Sequence, residues 1–206
     1  MKIRAFAPIT LFLAGFAIAC TIVVGLHELS QDRETAFATG QWWRPLTGHF
    51  AHASLAHVLM DLPLWLVAGV WRERRVGAKR YALELLFLML MVACGVRILH
   101  ADWRSYEGLS GVIHGLVALF LTSLAADRDR ARWLRAAAVG VLLLLTTRAL
   151  LELGVGGWLY QDAELTQRLG VRLYAGSHVA GIVGGALIGI AALTLGLLRS
   201  APKIGS

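Results

Sequence analysis

The feature that most constrains this chain is a series of six long apolar runs separated by short charged stretches: Ala5–Leu26, Phe50–Trp71, Tyr81–Leu99, Ser110–Ala126, Trp133–Leu151 and Gly176–Leu198. A hydrocarbon core of about 30 Å takes roughly 20 helical residues to cross, and these runs lack the alternation of outer-membrane barrel strands. With 57% hydrophobic and only 16% charged residues in a chain of 206, there is too little interior to hide them all from water. The expectation is an all-α membrane protein, six transmembrane helices forming a single domain over residues 1–206. A soluble enzyme and a disordered chain are both excluded. Cys20 and Cys94 lack metal-ligand spacing and read as small buried residues in mid-span. Lys2, Arg4 and the run ending Ala17-Ile18-Ala19-Cys20 look like a cleaved leader, but apolar sequence continues to Leu26, which suits a retained helix.

A net charge of +7 invites comparison with nucleic-acid binders until the charges are placed. Lys2, Arg4, Arg72, Arg74, Arg75, Lys79, Arg80, Arg128, Arg130, Arg132, Arg135, Arg199 and Lys203 fall on one side of the six-span arrangement, 13 of the 20 basic residues. Cytoplasmic loops carry the excess of Lys and Arg, so both termini are expected in the cytoplasm, with the bilayer and not nucleic acid as the partner. Spans two, four and six then start at the outer face.

Those three starts hold most of the polar chemistry. Span two brings His49, His52 and His57, with Asp61 one turn deeper; span four begins Gly108-Leu109-Ser110-Gly111-Val112-Ile113-His114-Gly115; span six begins Gly176-Ser177-His178. Ionisable groups in a membrane are costly and face the bundle interior or a water-filled cavity. Span four has 17 residues, about 25 Å of helix, which sinks Ser110 below the outer boundary yet within reach of water. Gly111/Gly115 and Gly181/Gly185 have the spacing that lets helix backbones approach closely, and such an approach would bring His178 to Ser110. An imidazole that takes the hydroxyl proton makes serine a nucleophile near neutral pH. Elsewhere, Arg148 and Glu152 are spaced as a helical ion pair, and Glu84 and Arg97 are expected to snorkel towards the interfaces. The alternative reading is a haem- or metal-binding bundle ligated by histidines such as His52, His114 and His178.

Together these residues resemble the rhomboid intramembrane serine proteases. Trp43-Arg44 followed by His52, His57 and position 61 is similar to the rhomboid pattern Trp-Arg, then H-x4-H-x3-N; Gly108-Leu109-Ser110-Gly111 is similar to its GxSG, and His178 with Gly181 and Gly185 to its H-x2-G-x3-G. The resemblance implies a six-helix bundle, Ser110 as nucleophile, His178 as general base, and an oxyanion site of the Ser110 amide with His57 and Asp61. It implies no cofactor. Position 61 departs from the pattern, since Asp stands where the family has Asn. A carboxylate cannot donate, so Asp61 is expected either to be protonated by burial or to accept a hydrogen bond and orient His57. His114, where many bacterial members carry Tyr, together with the short first outer loop and the lack of a soluble domain or seventh span, resembles the rhombosortase branch. That branch implies single-pass membrane protein substrates with C-terminal Gly-Gly-type sorting tails, a bacterial inner membrane, and a site opening to the periplasm. A catalytically inactive rhomboid-like binding protein is the remaining alternative. The stretch Glu152–Ala175 is a candidate cap over the site.

Overall fold

The computed structural model describes residues 6–100, 103–154 and 174–195. Its elements are α1 (Pro8–Ile22), α2 (Val24–Ser30), β1 (Asp32–Arg33), α3 (Arg44–Thr47), a 3-10 turn (Gly48–Phe50), α4 (Leu55–Val76), α5 (Ala78–Leu99), β2 (Ser105–Tyr106), α6 (Ser110–Ala126), α7 (Arg132–Gly154) and α8 (Ala175–Thr194). Four helices, α4, α5, α7 and α8, are long and apolar enough to cross a membrane, α1 and α2 qualify together as a bent pair, and α6 is a shorter apolar helix. Large apolar side chains such as Met60, Val67, Leu83, Ile98, Leu143 and Leu144 point outward and exposed. A water-facing surface would not carry this much, and lipid accommodates it. The chain is a mostly helical integral membrane bundle.

Helix α6 lies at the centre, packed on α4, α5, α7 and α8. Its closest partner is α8, because the glycines meet in pairs: a Cβ on Gly181 would land on the Gly111 carbonyl oxygen, and one on Gly185 on that of Gly115. Without side chains between them the two backbones touch, so dispersion and packing hold the helices where hydrophobic transfer cannot.

The polar contacts revise several expectations. The first run does not remain one helix through Leu26: α1 stops at Ile22, Val23 is extended, and α2 turns away by 110°. Ile22-Val23-Val24-Gly25 is a weak helical stretch, and the bend is held from outside. Arg44 Nη1 donates to the carbonyls of Glu28 and Gln31, both at 2.6 Å, and Thr47 Oγ1 donates to that of Ser30, satisfying the carbonyls that end α2. Trp43 Nε1 donates to Leu29 O. The two-residue ladder of β1 with β2 pairs Asp32 with Tyr106 and Arg33 with Ser105, joining the first loop to the approach to α6.

Glu84 and Arg97 are both held in ion pairs. Arg72 makes a two-pronged contact with Glu84 at 2.7 and 2.6 Å while Arg80 adds a third bond at 2.9 Å, and Arg97 pairs with Asp32 and lies over Trp103. Unpaired charge is costly where side chains leave water, so α4 supplies the counter-ion of Glu84 and β1 that of Arg97. Glu73 accepts from the Ile9 and Thr10 amides, capping α1 across the bundle. Cys20 is buried as expected but Cys94 is exposed on the outside of α5.

Candidate active site

Ser110 is the first residue of α6. It follows Gly108, whose φ of +116° suits glycine and where a Cβ would crowd the His57 ring. No side chain caps this helix start, so first-turn amides face the site with the positive end of the helix dipole. His178 sits on the first turn of α8, placed by the Gly111/Gly181 contact, and its Nε2 lies 3.2 Å from Ser110 Oγ. His178 Nδ1 lies 3.1 Å from Glu152 Oε2 near the end of α7, while Arg148 Nε donates to Glu152 Oε1 at 3.0 Å. The expected Arg148–Glu152 pair is thus present, but it uses one carboxylate oxygen and leaves the other for the histidine. Sequence spacing could reveal the first contact only.

His114, one turn below Ser110, places Nδ1 2.7 Å from the Ser110 carbonyl, which can only accept, so Nδ1 carries the hydrogen. Its ring stacks on His178 with centroids 4.1 Å apart and planes 16° from parallel. The stack and the Glu152 contact hold the His178 ring from two directions.

The second cluster faces the same helix start. Ser54 caps α4 by accepting the His57 amide at 3.2 Å, setting His57 on the first turn with Asp61 one turn on, 3.9 Å from His57 Nε2. His52 lies before α4, not on it, as does His49; span two therefore starts later than the apolar run suggests. The reason is Ser54, whose side chain gives the helix an end that Phe50 could not. His52 Nδ1 lies 3.1 Å from the Phe50 carbonyl and must donate to it, while its Nε2 lies 3.3 Å from Asp61 Oδ2. The Leu109 amide points between Asp61 Oδ2 at 3.1 Å and His52 Nε2 at 3.4 Å. Asp61 thus accepts from the residue before the serine, ordering the turn that presents it.

His52, His57 and Asp61 are ligand types for a transition metal, with ligand atoms within 4.8 Å of one another. The Leu109 N–H directed between two of them puts a positive hydrogen where a cation would sit, so the trio fits a hydrogen-bonded network better than a metal centre. The set His52, His114 and His178 is not assembled: His114 and His178 stack face to face while His52 bonds the Phe50 carbonyl. The two histidines outside the expected set also come to this end of the bundle, His27 against Glu107 at 2.9 Å and His100 Nε2 accepting the Gly176 amide at 2.9 Å.

His49, outside the long helices, is fully buried, with Nε2 3.0 Å from the Met89 carbonyl and no partner at Nδ1 among the described residues. Burial pushes its pKa down to about 4; the Met89 contact opposes this and nearby Arg97 adds to it. It is a structural histidine. The candidate cap Glu152–Ala175 falls almost wholly on residues 155–173, outside the described residues.

Residues 39–195 match the Rhomboid domain family. The chain belongs to the rhomboid family. It is 30% identical over 186 residues to Rhomboid protease GluP of Bacillus subtilis (strain 168), an alignment covering 88% of this chain and 31% of that protein. This rhomboid chain thus spans about a third of the length of its curated relative. In it, Trp43-Arg44 holds α2, and the GxSG and H-x2-G-x3-G segments form the two faces of one helix seam.

Proposed function

We propose that this rhomboid is an intramembrane serine endopeptidase in which Ser110 is the nucleophile and His178 the general base. The observation that carries the reading is the 3.2 Å contact between Ser110 Oγ and His178 Nε2 at the start of two helices in backbone contact. In the reaction, the Ser110 hydroxyl proton passes to His178 Nε2 as Oγ bonds the substrate carbonyl carbon. The carbonyl oxygen becomes an oxyanion facing the α6 first-turn amides, with His57 and Asp61 lining the same pocket. Collapse expels the amine with the proton from His178, and water repeats the sequence on the acyl-enzyme. The name of its relative, a rhomboid protease, supports the same chemistry.

The finer reading is a rhombosortase-type enzyme of a bacterial inner membrane, with both termini cytoplasmic and the site opening outward. Its substrates would be single-pass membrane proteins with small-residue, Gly-Gly-type C-terminal tails. The histidine at position 114, stacked on His178, and the basic residues at the opposite ends of the helices favour it. The test is labelling of purified protein in lipid with a fluorophosphonate probe. Wild type labels, and Ser110→Ala and His178→Ala do not; an unlabelled wild type overturns the serine mechanism.

A further inference from the structure

A serine–histidine pair leaves one problem unsolved. His178 must present Nε2 as an acceptor to Ser110, and its ring must not turn, so something has to hold a hydrogen on Nδ1. The group in place is Glu152. We infer that Glu152 is the third member of a Ser110–His178–Glu152 triad, a positioning residue that fixes the tautomer and orientation of His178 and faces the imidazolium formed when Ser110 gives up its proton. This rests on the proposed roles of Ser110 and His178 and adds a residue to them.

Three observations carry it. Glu152 Oε2 is 3.1 Å from His178 Nδ1, on the side of the ring opposite Ser110. The side chains of Glu152 and His178 each retain only 9% exposure, so water competes weakly for the contact. The carboxylate is aimed from its other oxygen, where Arg148 donates at 3.0 Å from the turn before. Arg148 is half-exposed whereas the Glu152 side chain is largely covered, so the arginine reads as a steering group and the carboxylate as the working one. The proton balance is simple: Ser110 Oγ–H passes to Nε2, the Nδ1 hydrogen stays on the ring donating to Oε2, and Glu152 remains ionised throughout. The competing account is an ordinary i,i+4 ion pair ending α7, with the histidine contact incidental.

The two accounts separate in the kinetics of fluorophosphonate labelling of the full-length protein in lipid, resolving probe affinity from the maximal rate. Glu152→Gln keeps the size of the side chain but loses the charge and is expected to cut the maximal rate by about 10²–10⁴-fold with little change in probe affinity. Glu152→Asp restores the carboxylate and is expected to recover at least about tenfold over Glu152→Gln. Arg148→Ala, which breaks the ion pair but leaves the carboxylate, stays within about tenfold of wild type. Thermal midpoints of all variants, measured alongside, allow rates to be referred to folded protein. Labelling of Glu152→Gln at the wild-type rate overturns the triad while leaving Ser110 and His178 intact. Equal losses in Arg148→Ala and Glu152→Gln, tracking their midpoints, also overturn it in favour of the ion pair. A wild type that fails to label refutes the serine mechanism and the triad with it.

Discussion

Gly181→Ala tests whether the glycine seam sets the catalytic geometry. The added methyl would clash with the Gly111 carbonyl oxygen, backbone on a neighbouring helix that cannot turn aside like a side chain. An ordinary contact lies at 3.4–4 Å, so α6 and α8 must separate by about 1 Å or more, at a packing cost of about 1–3 kcal/mol. Ser110 sits on one of these helices and His178 on the other, one turn from the contact, and their 3.2 Å spacing opens in step. At about 4 Å the hydrogen bond is gone, and a misplacement of about 1 Å commonly costs around 10²-fold in rate. The assay is the second-order rate of fluorophosphonate labelling in lipid, with the thermal midpoint as a check on folding. Gly140→Ala on α7 is the control, because a Cβ there meets nothing within 4 Å; it is expected to label normally and to gain slightly in helix propensity. Wild-type labelling by Gly181→Ala, or equal losses in both variants, would refute the claim that backbone contact positions the pair.

Asp61→Asn keeps an oxygen for the Leu109 amide and adds an N–H, so labelling is expected to stay within about threefold of wild type; a loss beyond tenfold would show that the carboxylate itself is required. Acid should weaken the fold through His49: its folded pKa of about 4 lies below the ordinary 6.5, so its contribution is complete above 6.5, falls as pH drops from 6.5 to 4, and totals about 3 kcal/mol. A His49→Gln variant whose thermal midpoint falls as steeply over that window would rule this out. Arg72→Met strands part of a buried pair and should cost about 3 kcal/mol, while Arg72→Met with Glu84→Leu should recover most of it; unfolding in denaturant compares the two, and no recovery in the double variant would contradict the desolvation argument.

What could be read from the linear chain follows from short-range physics. Apolar runs announce helices in lipid because each backbone amide must be satisfied locally, and α6 runs from Ser110 to Ala126, the bounds of its apolar run. The small-residue spacing on α6 and α8 marked their seam for the same reason, as contact needs only the absence of side chains. Helix starts and bends were harder. The Ser54 cap moved the start of α4 past His52, and α2 bent away because carbonyls at its end found Arg44 and Thr47 on α3, more than ten residues on.

The candidate site divides the same way. Ser110 and His178 stood out as candidates by residue type and neighbouring glycines, and His57 and Asp61 through the resemblance to the family pattern. That Glu152 turns one oxygen to Arg148 and the other to His178, and that the Leu109 amide is directed between His52 and Asp61, was decided only when α4, α6, α7 and α8 packed together. Sequence determines which groups must leave water and which helices can touch, because hydropathy and side-chain size belong to single residues. Tertiary structure decides which buried polar atom finds which partner, because a hydrogen bond depends on the distance and direction between groups that the chain brings together from far apart.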